Sequence, residues 1–277
     1  MRSNLAFLLL ASSVCILAAQ QPAKTSPSQA VNGTPLQKLP YDPAKLVNAV
    51  RASYYHPDGM SVLDCAINID WPSFSDSAKL NLPPDRLKMA EGMKMHSHAV
   101  RGKAPVITFD WSAGSLSTSD QIEGGFKQML GGFYQIYWPM IAAPPIASTD
   151  VPSKIEPLEN GAKRISFTDS GSSVVLTVDN NNTPTHYSMD LSTMKVAIDP
   201  EYTSSPRPVP GDLRRLSGLK VNEQFGASTI NMGINLDYQQ VDGFNVPQHV
   251  AFNISGAFVL NLEFTGCEAS KDTGATQ

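Results

Sequence analysis

Charge is scarce in this sequence. Only 17% of its 277 residues are Asp, Glu, Lys or Arg, and the formal net charge is -4. A balance that weak excludes the electrostatic footprint of a nucleic-acid binder or of a protein drawn to anionic membranes. Long apolar runs are scarce as well. The longest, Leu5 to Ala19, falls short of the ~20 residues a membrane span needs, so the mature chain is expected to be soluble, with no transmembrane segment. Cysteine is rare, with 3 in all.

The signatures of catalysis are missing too. Ser112-Ala113-Gly114-Ser115 is not the Gly-x-Ser-x-Gly elbow of a hydrolase. Gly124-Gly125 and Gly131-Gly132 are not a phosphate loop, because the lysine and hydroxyl that follow such a loop are absent. Asp64, Asp70, Asp110 and Asp190 show no spacing that would pair carboxylates for acid–base work. The sequence assigns no catalytic residue, no cofactor and no metal ligand, and the chain reads as a non-enzyme.

What is present begins with a targeting signal. Arg2, the apolar run and the small pair Ala18-Ala19 read as a secretory signal peptide over residues 1–19. This implies export to the periplasm or the extracellular space. Residues 20–40 are rich in Pro, Ser, Gln, Ala and Thr without periodicity, and read as a disordered leader. A single α+β domain is expected over 41–268, followed by a disordered tail over 269–277. With Cys15 inside the apolar run, Cys65 and Cys267 remain as an even pair in an exported chain. A disulfide between them is the expectation and two buried thiols the alternative. Closing so long a loop would stabilise the fold by roughly 4–5 kcal/mol.

The clearest structural pattern lies near the C-terminus. Ile230, Met232, Ile234, Leu236 and Tyr238 alternate with Asn231, Gly233, Asn235 and Asp237, which places successive side chains on opposite faces of a strand. Asp242-Gly243 suits the positive φ angles of a tight hairpin turn. Val250, Phe252 and Ile254 form the next apolar face, and Phe258, Leu260, Leu262 and Phe264 the one after. Upstream, Ile165 and Phe167, then Val174, Leu176 and Val178, then Tyr187, Met189 and Leu191, then Met194, Val196 and Ile198 repeat the pattern. Leu216 to Val221 reads as a weaker strand. Such a meander is apolar on one side only, and that side requires a cover.

Helical periodicity supplies candidates for the cover. Asp42-Pro43 reads as a helix cap and start before Leu46, Val47, Val50 and Tyr54. Val62 to Phe74 reads as the first strand. Met93 to Val100 and Pro105 to Trp111 read as a hairpin. The longest helical pattern, Asp120 to Ile141, carries Ile122, Phe126, Met129, Leu130, Phe133, Tyr137 and Ile141 on one stripe. It also carries Gly124-Gly125-Phe126 and, seven residues on, Gly131-Gly132-Phe133. Each interior glycine costs a helix about 1 kcal/mol against alanine, so this helix depends on its packing and is suited to bending or moving. Pro139 and Pro144-Pro145 end it.

His96 and His98 share a strand face and could ligate a metal, but no third and fourth ligand stands at a fixed spacing. A polar strand face is the simpler reading, and a metal-dependent hydrolase the least favoured function.

The segment Tyr238-Gln239-Gln240-Val241-Asp242-Gly243-Phe244-Asn245-Val246-Pro247 is similar to the Tyr…Val-Asp-Gly-φ-x-φ-Pro hairpin (φ apolar) of the LolA/LolB-type lipoprotein-carrier superfamily. The order of elements resembles that fold as well, best over the C-terminal half. The resemblance implies a curved antiparallel meander forming an incomplete barrel, with helices on its apolar face and acyl chains sheltered between them. It implies that Ile230, Met232, Ile234, Leu236, Phe252, Phe258, Leu260 and Leu262 line that face, with Phe126 and Phe133 on a lid. The region Asp76–Ile141 and the Pro-rich loop Ser204 to Gly211 are additional to a minimal carrier. The expected partner is thus a hydrophobic small molecule or acyl chain, bound by a carrier or sensor. The alternative is a structural or interaction module of the cell envelope, with a filled core and a protein partner.

Overall fold

The computed structural model describes residues 42–271, apart from 58, 81, 112–118, 144, 147–151, 170–171, 192–193, 204–213 and 255–256. The proposed signal peptide, the leader, the serines at 112–115 and the Pro-rich loop fall outside the described residues.

The fold is mostly antiparallel sheet. Twelve strands pair in the order β3-β2-β1-β12-β11-β10-β9-β8-β7-β6-β5-β4, and the sheet stays open between β3 and β4. They are β1 (Met60–Ile69), β2 (Lys94–Val100), β3 (Val106–Asp110), β4 (Lys154–Pro157), β5 (Lys163–Asp169), β6 (Ser172–Val178), β7 (Pro184–Asp190), β8 (Lys195–Tyr202), β9 (Leu216–Phe225), β10 (Ser228–Val241), β11 (Phe244–Ile254) and β12 (Phe258–Lys271). Each strand neighbours its successor in sequence except β3 and β4, which form the two edges, and β1 pairs with β12, which brings the two ends of the fold together. Asp242 and Gly243 join β10 to β11 with φ angles of 50° and 83°, the two positive values that a two-residue hairpin turn of this hand requires. The Asp242 carboxylate also accepts a hydrogen bond from the Ala269 amide at 3.0 Å, which fastens the turn to β12.

Among the described residues four α-helices accompany the sheet: α1 (Pro43–Arg51), α2 (Trp71–Ser77), α3 (Pro84–Glu91) and α4 (Ser119–Ile136). Asp42 caps α1, its carboxylate accepting from the Ala44 amide at 3.1 Å. The expected first strand, Val62 to Phe74, is corrected: it starts at Met60 and stops at Ile69. Asp70 caps α2 by accepting from the Ser73 amide at 3.2 Å, and Pro72 sits in the first helical turn, where its missing N–H costs nothing. Hydrogen bonding from the Ser73 side chain, with its amide, holds the Asp70 carboxyl below its ordinary range. At the other end, β12 runs to Lys271, past the expected start of the tail at 269. Its last residues pair with β1, Leu63 opposite Ala269 and Met60 opposite Lys271.

Cys65 on β1 and Cys267 on β12 are joined, with sulfurs 2.14 Å apart and a sequence separation of 202. The pair is compatible with an extracytoplasmic location. Among the described residues no helix is long and apolar enough to cross a membrane.

Helix α4 lies against β2, β11 and β12. The Phe133 ring meets Phe252 of β11 and Phe264 of β12, with centroids 5.8 and 6.1 Å apart. Tyr134 and Ser97 of β2 share a buried hydrogen bond of 2.8 Å. Toward its N-terminus, Phe126 packs on Trp71 and Phe74 of α2, and Phe74 on Phe258 of β12. After Ile136 the chain widens into a π-helical turn, Tyr137–Ile141. Pro139, which has no N–H, sits within it and cannot join a regular ladder.

Candidate functional site

The residues expected to line a ligand face do share one face, and most are closed off from solvent. Ile234, Leu236, Phe252, Leu260 and Leu262 are buried, as are Phe126 and Phe133 on α4. Ile230, Met232 and Phe258 are half-buried. The α4 rings touch the sheet directly, so a ligand beneath Phe133 requires α4 to lift. A cleft of about 610 Å³ lies elsewhere, between α2 and α3, lined by Pro72, Ser75, Asp76, Lys79, Leu82 and Leu87. None of the expected lining residues belongs to it.

The cover has unusual composition for a packed helix. A Cβ added to Gly124 or Gly131 would meet no atom within 4 Å. Neither glycine is needed for a close approach, yet each weakens the helix. The end of the cover also carries loose polar groups. The Tyr137 hydroxyl and the Trp138 Nε1 are buried and find no hydrogen-bond partner within the protein. Such groups cost roughly 1–3 kcal/mol each when unmet. Burial, reinforced by the neighbouring Tyr134 and Tyr238 phenols, raises the Tyr137 hydroxyl well above its ordinary range. Tyr54, just after α1, anchors this end by donating to the Met140 carbonyl at 2.8 Å.

His96 and His98 lie on the other face of β2 and are both exposed. Asp64 of the paired strand β1 stands between them, at 2.7 Å from His96 Nε2 and 2.8 Å from His98 Nδ1. Among the described residues no three His, Cys, Asp or Glu side chains are arranged to hold a metal ion. The other aspartates are scattered: Asp70 is a cap, and Asp110 and Asp190 end separate strands.

One residue escaped the sequence reading. Glu223 lies on the apolar face of β9, 7% exposed, and is the only buried Asp, Glu, Lys or Arg among the described residues. Its Oε2 has no hydrogen-bond partner. Burial pushes its carboxyl up to about 7. The signal for it was the alternation Leu219, Val221, Glu223, Phe225, which continues the strand's inner face beyond the expected end at Val221.

Compared with protein-family models, curated proteins and solved structures, the chain matches none.

Proposed function

We propose that this protein binds a lipid or another hydrophobic ligand on the apolar face of its open sheet, with α4 as a liftable cover, as a carrier or sensor of the LolA type in the periplasm or outside the cell. In this reading the sheet is the wall of an incomplete barrel, and the helix and sheet meet in its closed, empty state. The observation that carries it is the glycine content of α4. Gly124 and Gly131 weaken a helix that covers the broadest aromatic contact in the fold, and no neighbour needs their lack of a side chain. A helix that must leave the sheet and return is served by that weakness; a permanent core element is not. The unpartnered Tyr137 and Trp138 groups lie at the point where such a helix would hinge.

A second reading, an interaction module of the cell envelope with a permanently filled core, draws on the open edge at β3. Val106 on that strand is 57% exposed, and the outer side of β3, which pairs with no strand among the described residues, could accept a partner's strand. Native mass spectrometry of the mature protein from its own envelope, followed by lipid extraction, separates the two. A bound lipid or acylated peptide is the expected result. A clean apo mass, with no uptake of a fluorescent fatty acid, would overturn the first reading and favour the second.

A further inference from the structure

Among the described residues Glu223 is the one buried acidic group on the apolar face, and its cross-strand neighbours are apolar. Directly opposed residues across strands share a face. Following the register from β5 to β10 through Glu223 gives Phe167, Val174, Met189, Val196, Glu223 and Ile230. Every other member of that row is apolar. Along β9 itself the same face presents Val221 on one side and Phe225 on the other. Among the described residues Oε2 of the carboxyl has no hydrogen-bond partner.

The position within the strand matters as much as the neighbours. Glu223 stands just before the β9–β10 turn, where Gly226 takes a φ of 55°. One cross-strand row deeper, Leu176, Ile198 and Val221 are fully buried. In Glu223's own row Met189, Val196 and Ile230, the members nearest to it, are half-buried, whereas Phe167 and Val174 farther along are buried. The carboxyl therefore sits at the rim of the apolar face, where a molecule entering tail first would leave its head. Met189, Met194 and Met232 lie close by in register. Their unbranched side chains repack around irregular apolar shapes at little cost.

We propose that Glu223 is the headgroup anchor of the ligand site and selects amphiphiles bearing a cationic nitrogen, such as a primary amine on an alkyl chain. The inference rests on reading the apolar face as a ligand site. A carboxylate against apolar walls is unstable alone and gains most from a cation that arrives with its own apolar body. The tail buries apolar surface while the ammonium supplies the missing partner, and the pair interacts in a medium of low polarity, where the attraction is strong. An acid headgroup of the same chain length brings a second negative charge to the same spot and is disfavoured. Selectivity thus comes from repulsion as well as attraction.

The test uses the full mature chain and three probes of equal chain length, dodecylamine, dodecanol and dodecanoic acid, each below its micellar concentration at pH 8. Binding is read by titration calorimetry for wild type and for Glu223→Gln. Wild type should bind the amine at least about tenfold more tightly than the alcohol, and the acid most weakly. Glu223→Gln should bring the amine to the level of the alcohol and improve the acid. Equal binding of all three by wild type would overturn the role of Glu223 and leave the hydrophobic-ligand reading standing, as would an amine preference that survives in Glu223→Gln. No binding of any probe would overturn both.

Discussion

Strands β1–β3 with β11 and β12 meet the aromatic rings of helices on their apolar face; β5–β9 bury an equally apolar face built mainly of aliphatic side chains. On the first group, Phe133, Tyr134 and Phe74 reach Phe252, Phe264, Ser97 and Phe258. On the second, Ile165, Val174, Leu176, Val178 and Val221 are as well buried. These residues are aliphatic, and they belong to the same continuous core as the helix rings. The ring of Tyr54 meets Tyr202 at one end only. The disulfide lies in the first group, and Glu223 with its half-buried methionine neighbours in the second. A helix-covered face can be filled with interlocking rings and closed by a covalent bond. The aliphatic region carries the unmet carboxyl oxygen of Glu223, apart from the interlocked rings.

The largest effect expected from breaking this contrast comes from the disulfide. Replacing Cys65 and Cys267 by Ser should cost about 4–5 kcal/mol in denaturant unfolding, because the bond closes a loop of 202 residues. Hydrogen exchange should accelerate first in β1, β2 and β12. Faster exchange in β6 and β7 instead would mean that the two groups do not differ in how they are held.

Glu223 gives the next largest effect. Its carboxyl is raised from an ordinary 4.5 to about 7 in the folded state, so the folded chain holds the proton more tightly than the unfolded chain. Stability should therefore be highest below about 4.5 in so far as this group decides it. It should fall as pH rises toward about 7 and level off above, with a total of no more than about 3 kcal/mol. Glu223→Gln should remove that slope and be the more stable protein at pH 8. Chemical denaturation of both proteins across this range checks the sign, and parallel curves would show that the carboxyl is not buried as described.

The smallest effect sharpens the comparison from the covered side. Gly124→Ala and Gly131→Ala should each stabilise the protein by up to about 1 kcal/mol, since the added methyl meets no atom and favours the helix. Both should slow release of any bound hydrophobic ligand by stiffening α4. Unchanged release rates in a stabilised double variant would argue that α4 does not lift.

Much of this architecture was legible, and the failures share a cause. Strict alternation in β10, β11 and β12 and the Asp242-Gly243 turn identified their own hairpins. Glycine and proline marked α4 and its end, though not the π-helical form that Pro139 imposes. The reading of β1 ran too far because apolar Trp71 and Phe74 extend the strand's pattern, while the cap at Asp70 and Pro72 had already turned the chain into a helix. Glu223 was passed over because an inward-facing carboxyl breaks the very pattern by which inward faces are found. The Asp64 bridge between His96 and His98 needed the β1–β2 register, which no local signal contains. The disulfide was inferred from the count of cysteines; its place between adjacent strands followed only from the pairing of β1 with β12.

That pairing of first and last strands also sets an order in time. As the chain emerges from its N-terminus, β1 can form a hairpin with β2 and β3, but its other edge stays bare until the final strand arrives. The nine strands from β4 to β12 can meanwhile add one after another, each onto its predecessor. The joining of the two pieces is the most distant contact in the sequence and hence a slow event, since long-range pairing has to await closure of the whole intervening loop. Throughout that interval Cys65 is a free thiol on an exposed strand edge. The young chain thus passes through a window in which it is open both to mispaired strands and to the wrong sulfur, and that window closes when β12 is docked.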